Sequence, residues 1–101
     1  MSRMRYSNSL KKEEKLLIGK IVRYFPKIGV VEVQIIANDV LKIGDEFGII
    51  GAQTGIVRGK VEEMWVNEKP TLEAVQGDHL TLKIDKRVRD KDEFYVFRKK
   101  K

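Results

Sequence analysis

The reactive vocabulary of this chain is small, with one histidine and no cysteine among 101 residues. A Ser-His-Asp or Cys-His arrangement would therefore have His79 as its only base, and no thiol to activate. His79 follows Asp78 at the predicted start of a strand, where an exposed or half-buried side chain is expected and no second group converges on it. The lack of cysteine excludes disulfides and thiolate metal sites. The neighbours Asp45-Glu46 and Glu62-Glu63 are of the type that does acid–base work. Adjacent residues of a strand point to opposite faces, however, so these are expected as solvated turn and rim carboxylates. The run GIVRGKV, Gly55 to Val61, approaches the phosphate-loop pattern G-x-x-x-x-G-K-[ST]. It is one residue short, has Val61 in place of the hydroxyl, and falls inside a predicted strand, so it cannot cradle phosphate. We expect no catalytic residue, no cofactor, no metal and no enzyme activity.

Cations and one aromatic make the better case. Arg58 and Lys60 alternate on the outer face of a long predicted strand, with Trp65 beyond them. Lys83, Lys86, Arg87 and Arg89 gather on a later strand and its loop, and Arg98, Lys99, Lys100 and Lys101 end the chain. Cations for a phosphate backbone and an aromatic face for an unpaired base are what an RNA-binding surface needs. The net charge is +6, but it sits at the ends. Residues 1–15 carry +3 and residues 98–101 carry +4, while residues 16–97 hold 12 basic against 13 acidic residues. Asp85, Asp90 and Asp92 interleave with Lys86, Arg87 and Arg89, so local ion pairing competes with ligand binding there.

These residues must be positioned by strands. We read residues 1–15 as a polar, basic N-terminal tail, with a short helical turn over Leu10–Leu17 capped by Ser9, and 98–101 as a basic C-terminal tail. Between them, residues 16–97 form one domain, a size that allows a thin but sufficient core. LLIGKIVRYF is rich in β-branched and aromatic residues. VVEVQII alternates, with Val31, Val33 and Ile35 on one face, and HLTLKI alternates with Leu80, Leu82 and Ile84 inward. In IVRGKVEEMWV, Val57 and Val61 share a face, but the same phase would bury Glu63. A bulge at Glu62-Glu63 is predicted, which buries Met64 and Val66 and turns Trp65 outward. NEKPT is read as a loop. LKIGDEFGIIG and VRDKDEFYVF share a cadence: an apolar residue, a turn ending in Asp, then Glu-Phe opening a strand. Gly44 or Lys91 bends the chain, the Asp binds its own backbone, and Phe47 or Phe94 begins the core. Short strands at this spacing, with no long helix, predict an all-β fold, a small closed barrel or sandwich with closure favoured because it leaves no edge.

The run from Leu17 to Phe97 resembles the β-barrel second domain of translational GTPases such as elongation factor Tu, through Gly19, Leu41, Gly44, Asp45, Gly51, Met64, Ala74, Gly77 and Asp78. It is nearer to the barrel that closes the collagenase-like peptidase family, where the ending is similar to KRVRDKDEFYVF, Lys86 to Phe97. The resemblance implies a closed six- or seven-stranded antiparallel Greek-key β-barrel of the translation-protein type. It also implies contact with tRNA or ribosomal RNA, or packing on neighbouring domains. Neither a GTPase domain nor a peptidase catalytic domain is present, so the chain looks like the accessory barrel alone.

The expectation is therefore a non-catalytic module that binds tRNA or ribosomal RNA in translation or tRNA modification. The alternative is a protein-interaction module docking in trans on an enzyme or GTPase without its own barrel, through Trp65, Val66 and Pro70. No membrane partner or small-molecule substrate is evident. No signal-peptide core and no span of about 18 apolar residues occur, and a cytoplasmic location is expected.

Overall fold

The computed structural model describes residues 13–99. Ten strands follow one another: β1 (Glu13–Phe25), β2 (Val30–Ile35), β3 (Val40–Lys42), β4 (Glu46–Gly51), β5 (Gly55–Lys60), β6 (Met64–Val66), β7 (Lys69–Pro70), β8 (Glu73–Val75), β9 (His79–Lys83) and β10 (Glu93–Lys99). Eight form a single antiparallel sheet in the order β5-β4-β10-β1-β2-β9-β6-β7, and β3 and β8 form a separate ribbon. The all-β expectation holds. Residues 9–12 of the expected helical turn lie outside the described residues, while Glu13–Leu17 belong to β1.

β1 is the spine because it pairs with β10 on one side and β2 on the other. Its register slips by one residue against each partner, between Leu17 and Gly19 and between Ile21 and Arg23. In a regular strand Ile18 and Ile21 would point to opposite faces. The bulges and the curvature they add let both enter the core, where they are 1% and 2% exposed. Val31, Val33, Ile35, Leu80 and Leu82 are buried as their alternation predicts, with Ile84 packed at the margin. Phe47 and Phe94 stack with ring centroids 5.4 Å apart, so the two Glu-Phe strand starts meet in the middle of the molecule.

The closed six- or seven-stranded barrel does not form. β5 and β7 end an open sheet. The chain leaves the sheet after Lys60, because the backbone of Val61 is bonded to the turn before β4: Gly44 N donates to Val61 O at 2.7 Å, and Val61 N to Asp45 O at 2.8 Å. In place of the predicted bulge within one strand, there is a break between two strands with different neighbours. Its effect on phase is only partly the expected one: Val61 and Met64 are buried, but Val66, expected inside, is half-buried like Trp65. The predicted loop NEKPT includes the hairpin turn between β6 and β7, where Asn67 and Glu68 both take positive φ (54° and 66°). That is the type I′ pattern suited to a two-residue hairpin.

Three strands are introduced by one turn chemistry. Lys42–Asp45, Val75–Asp78 and Arg89–Asp92 each close with the Asp N–H on the first residue's carbonyl, at 3.0, 2.9 and 3.2 Å. Each Asp carboxylate then accepts from that first residue's N–H, at 2.9, 2.9 and 3.0 Å. The third residue has positive φ in all three: Gly44 95°, Gly77 91°, Lys91 74°. This is the φ that position requires in a type II turn.

Candidate interaction surfaces

Of the predicted cations, Arg58, Lys60 and Lys83 line one recess, with Glu62 and Asp85, while Arg87 and Arg89 lie in another. Arg58 lies on the outer side of β5 with its guanidinium 3.8 Å from the centroid of Phe97, and it also pairs with Glu13 at 3.2 Å and Glu46 at 3.3 Å. Lys60 and Lys83 also line a small recess with Glu62 and Glu63. Lys86 is exposed. Arg87 and Arg89 are exposed and line a shallow cleft with Arg23, Tyr24 and Asp90. None of Lys86, Arg87 or Arg89 makes an ion pair among the described residues. Asp92, which the sequence offered as their neutraliser, is 8% exposed. Its carboxylate accepts from the Thr54 hydroxyl and the Arg89 backbone instead.

Arg98 is not a free tail residue. Its Nη1 donates to both carboxylate oxygens of Asp39 at 2.9 and 3.1 Å, its Nη2 donates to Val40 O at 2.7 Å, and Asp45 is 3.5 Å away. Burial opposes the Asp39 charge, but the Arg98 hydrogen bonds, the Val40 N–H and the Arg98 charge outweigh it and hold the carboxyl below its ordinary value. Burial likewise works against Arg98, and Asp39 and Asp45 together raise it. The signal in the sequence was Asp39 before β3, although nothing local shows that it meets a residue 59 positions on. The side chain of Lys99, and Lys100 and Lys101, lie outside the described residues.

His79 points to solvent with Nδ1 2.9 Å from Glu32 Oε2. Among the described residues, no three of His, Asp and Glu cluster as a metal site would need. Glu62 and Glu63 are not on opposite faces of a strand, because the chain is outside the sheet there, and both line the same groove.

That groove has a volume of about 920 Å³ and is open to solvent. β6 supplies Met64 and Trp65, β7 supplies Pro70, β8 supplies Glu73 and Val75, and turns add Ile43 and Leu72. Trp65 faces Pro70 across the hairpin. Leu72 is 75% exposed, Val75 46% and Ile43 37%, so the surface around Trp65 carries apolar area with nothing over it. Sequence reading found Trp65 and Pro70 but passed over Leu72, Ile43 and Val75. The β3–β8 pairing gathers these from separate parts of the chain.

The chain is similar to proteins named as proteases. The chain is homologous to proteins of the collagenase/U32 peptidase family. Over 87 residues, 86% of its length, it is 34% identical to a collagenase of Porphyromonas gingivalis. The same figures describe its match to an uncharacterized protease of Methanocaldococcus jannaschii. The aligned stretch is 21% of each of those proteins, so the chain spans about a fifth of the length of these relatives. Its fold matches the C-terminal domain of a Geobacillus thermoleovorans protein assigned to the U32 peptidases, with a TM-score of 0.70, 18% identity, and coverage of 85% of this chain and 93% of that one. No protein-family model matches the chain.

These relatives correct the functional expectation. Neither the RNA-binding module of translation or tRNA modification nor its alternative, a protein-interaction module docking in trans on an enzyme or GTPase, is what the similar proteins point to: those are named collagenase, protease and U32 peptidase. Of the two resemblances read from the sequence, the peptidase one is supported.

Proposed function

We propose that the chain is a non-catalytic, polypeptide-binding domain of the collagenase/U32 peptidase kind, holding protein segments in the groove around Trp65. The observation that carries this reading is the exposure of Leu72, Val75 and Ile43 beside Trp65 and Pro70. A large uncovered apolar surface centred on an aromatic anchor is what protein contacts use. Homologues named as proteases make polypeptide the natural occupant. A groove of this kind supplies affinity and orientation. The hydroxyl among its lining, on Thr71, is tied to the Glu73 backbone, and His79 is engaged with Glu32.

The test is co-sedimentation of the full chain with immobilised gelatin and unfolded casein, together with a search for new amino termini in both. Retention without cleavage is expected, weakened about tenfold or more by Trp65→Ala or Leu72→Ser. Hydrolysis by the purified chain would remove the non-catalytic assignment. Undiminished retention of both variants would remove the groove.

A further inference from the structure

The groove is apolar along its floor, but its rim has a sign. Four carboxylates line it, Glu62, Glu63, Glu73 and Asp78, and no Lys or Arg does. Five acids elsewhere have such partners: Glu13 and Glu46 hold Arg58, Asp39 and Asp45 hold Arg98, and Glu32 holds His79. The four rim carboxylates make no ion pair among the described residues. Lys60 and Lys83 share an adjoining recess with Glu62 and Glu63 but form no ion pair with them. The domain thus leaves four carboxylates without an ion pair, among the described residues, around an apolar groove.

We infer that the groove selects polypeptide segments in which apolar side chains are flanked by lysine or arginine. This inference rests on the polypeptide-binding reading above and adds the identity of the occupant. Apolar side chains of such a segment would cover Trp65, Pro70 and Leu72, while its cations would meet the rim. An acidic segment would bring like charges together at the same place, and that repulsion discriminates as strongly as the attraction. Charges at the rim of an exposed groove are screened by salt over about 10 Å at 0.1 M, so the preference is ionic-strength dependent while the apolar contact is not.

Trp65 is the only tryptophan in the chain and reports occupancy directly. Two decapeptides with the same Leu-Val-Leu centre, one flanked by Lys and Arg and one by Glu, are titrated into the full chain while Trp65 emission is followed. The cationic peptide should bind about tenfold or more tightly than the acidic one at low salt, with the gap closing as salt rises. Combined Glu62→Gln, Glu63→Gln and Glu73→Gln substitution should weaken the cationic peptide by about tenfold and leave the acidic one unchanged. All three residues are exposed, so the folded chain is unaffected. Equal affinity for the two peptides, lost in Leu72→Ser, would overturn the charge preference and leave the polypeptide reading standing. No response of Trp65 to either would remove both. A concentration-dependent dimer dissolved by Leu72→Ser would make a second copy of this chain the occupant and overturn the inference.

Discussion

The turns before β4 and β10 have the same local geometry and opposite surroundings. Both bend at a residue of positive φ, and both fold an Asp carboxylate back onto the N–H three residues earlier. Both then send a phenylalanine into the shared stack. Asp45 stays near the surface and faces Arg98 at 3.5 Å. Asp92 is buried under the β4–β5 turn, where the Thr54 hydroxyl donates to it and its own carbonyl accepts from Ile21 N at 2.8 Å. The difference teaches that a turn motif sets local direction, while its energetic weight comes from what packs over the carboxylate. A buried acceptor left unmatched costs more than an exposed one, so equivalent substitutions at the two turns should have unequal effects.

The largest effect is expected where backbone meets the buried carboxylate. A Cβ on Gly51 would fall within the Asp92 side chain, 2.5 Å from its Cγ. Gly51→Ala should therefore displace Asp92 and cost about 3 kcal/mol, as overpacking of a filled site does. Gly44 has nothing within 4 Å of the same added atom. Gly44→Ala meets only the penalty of a side chain at φ 95°, about 1 kcal/mol. Urea denaturation of the two variants gives the ratio directly, and equal losses would erase the distinction drawn between the turns.

Next in size is removal of the carboxylates themselves. Asp92→Ala leaves the Thr54 hydroxyl and the Arg89 N–H without their acceptor in a largely buried place. About 2 kcal/mol should be lost. Asp45→Ala frees the Lys42 N–H to water and loosens one long contact to Arg98, at about half that cost. A combined Thr54→Val and Asp92→Ala variant should lose less than the two single losses added together, since the pair shares one interaction.

Arg98 ties the exposed turn to β3, and this contact titrates. The folded-state pKa of Asp39 is depressed, so the pair contributes stability above the ordinary carboxylate value of about 4. That contribution fades as pH falls through the lower folded value. With side chains 32% and 28% exposed, solvent screening limits the contribution to about 1 kcal/mol. Arg98→Met should be destabilised by that amount at pH 7, and its stability should converge on the parent's under strongly acidic conditions. A difference that stays constant with pH would mean that Arg98 acts through its hydrogen bond to Val40 O instead of through the Asp39 charge.

How much of this could be read in the residues depends on distance along the chain. Alternation placed Val31, Val33, Ile35, Leu80 and Leu82 in the core, because a strand's period is local. The paired Asp-Glu-Phe starts were visible for the same reason. The third turn, Val75–Asp78, was not grouped with them, since His-Leu follows it where Glu-Phe follows the others. Long-range facts were hidden. The pairing of β3 with β8 created the groove from Ile43, Leu72 and Val75. The reach of Arg98 to Asp39 turned a presumed tail cation into a structural tie. The open sheet was hidden too, because closure depends on whether the first and last strands meet, which no strand's own pattern records.

The smallest effect has the opposite sign and probes the turns most directly. Lys91 occupies with φ 74° the place that glycine fills in the other two turns. A non-glycine residue there carries strain of about 1 kcal/mol, partly offset because glycine makes the unfolded chain more flexible. Lys91→Gly should raise stability by a few tenths of a kcal/mol and leave the Asp92 hydrogen bonds in place. Gly77→Lys should lower stability by about as much, since nothing lies within 4 Å of its Cβ position and only the backbone conformation opposes it. Thermal unfolding midpoints of the two variants should move in opposite directions. If Lys91→Gly instead destabilised the chain, the lysine side chain would be making a contact that outweighs its strained backbone, and the three turns would not be energetically equivalent even in their local part.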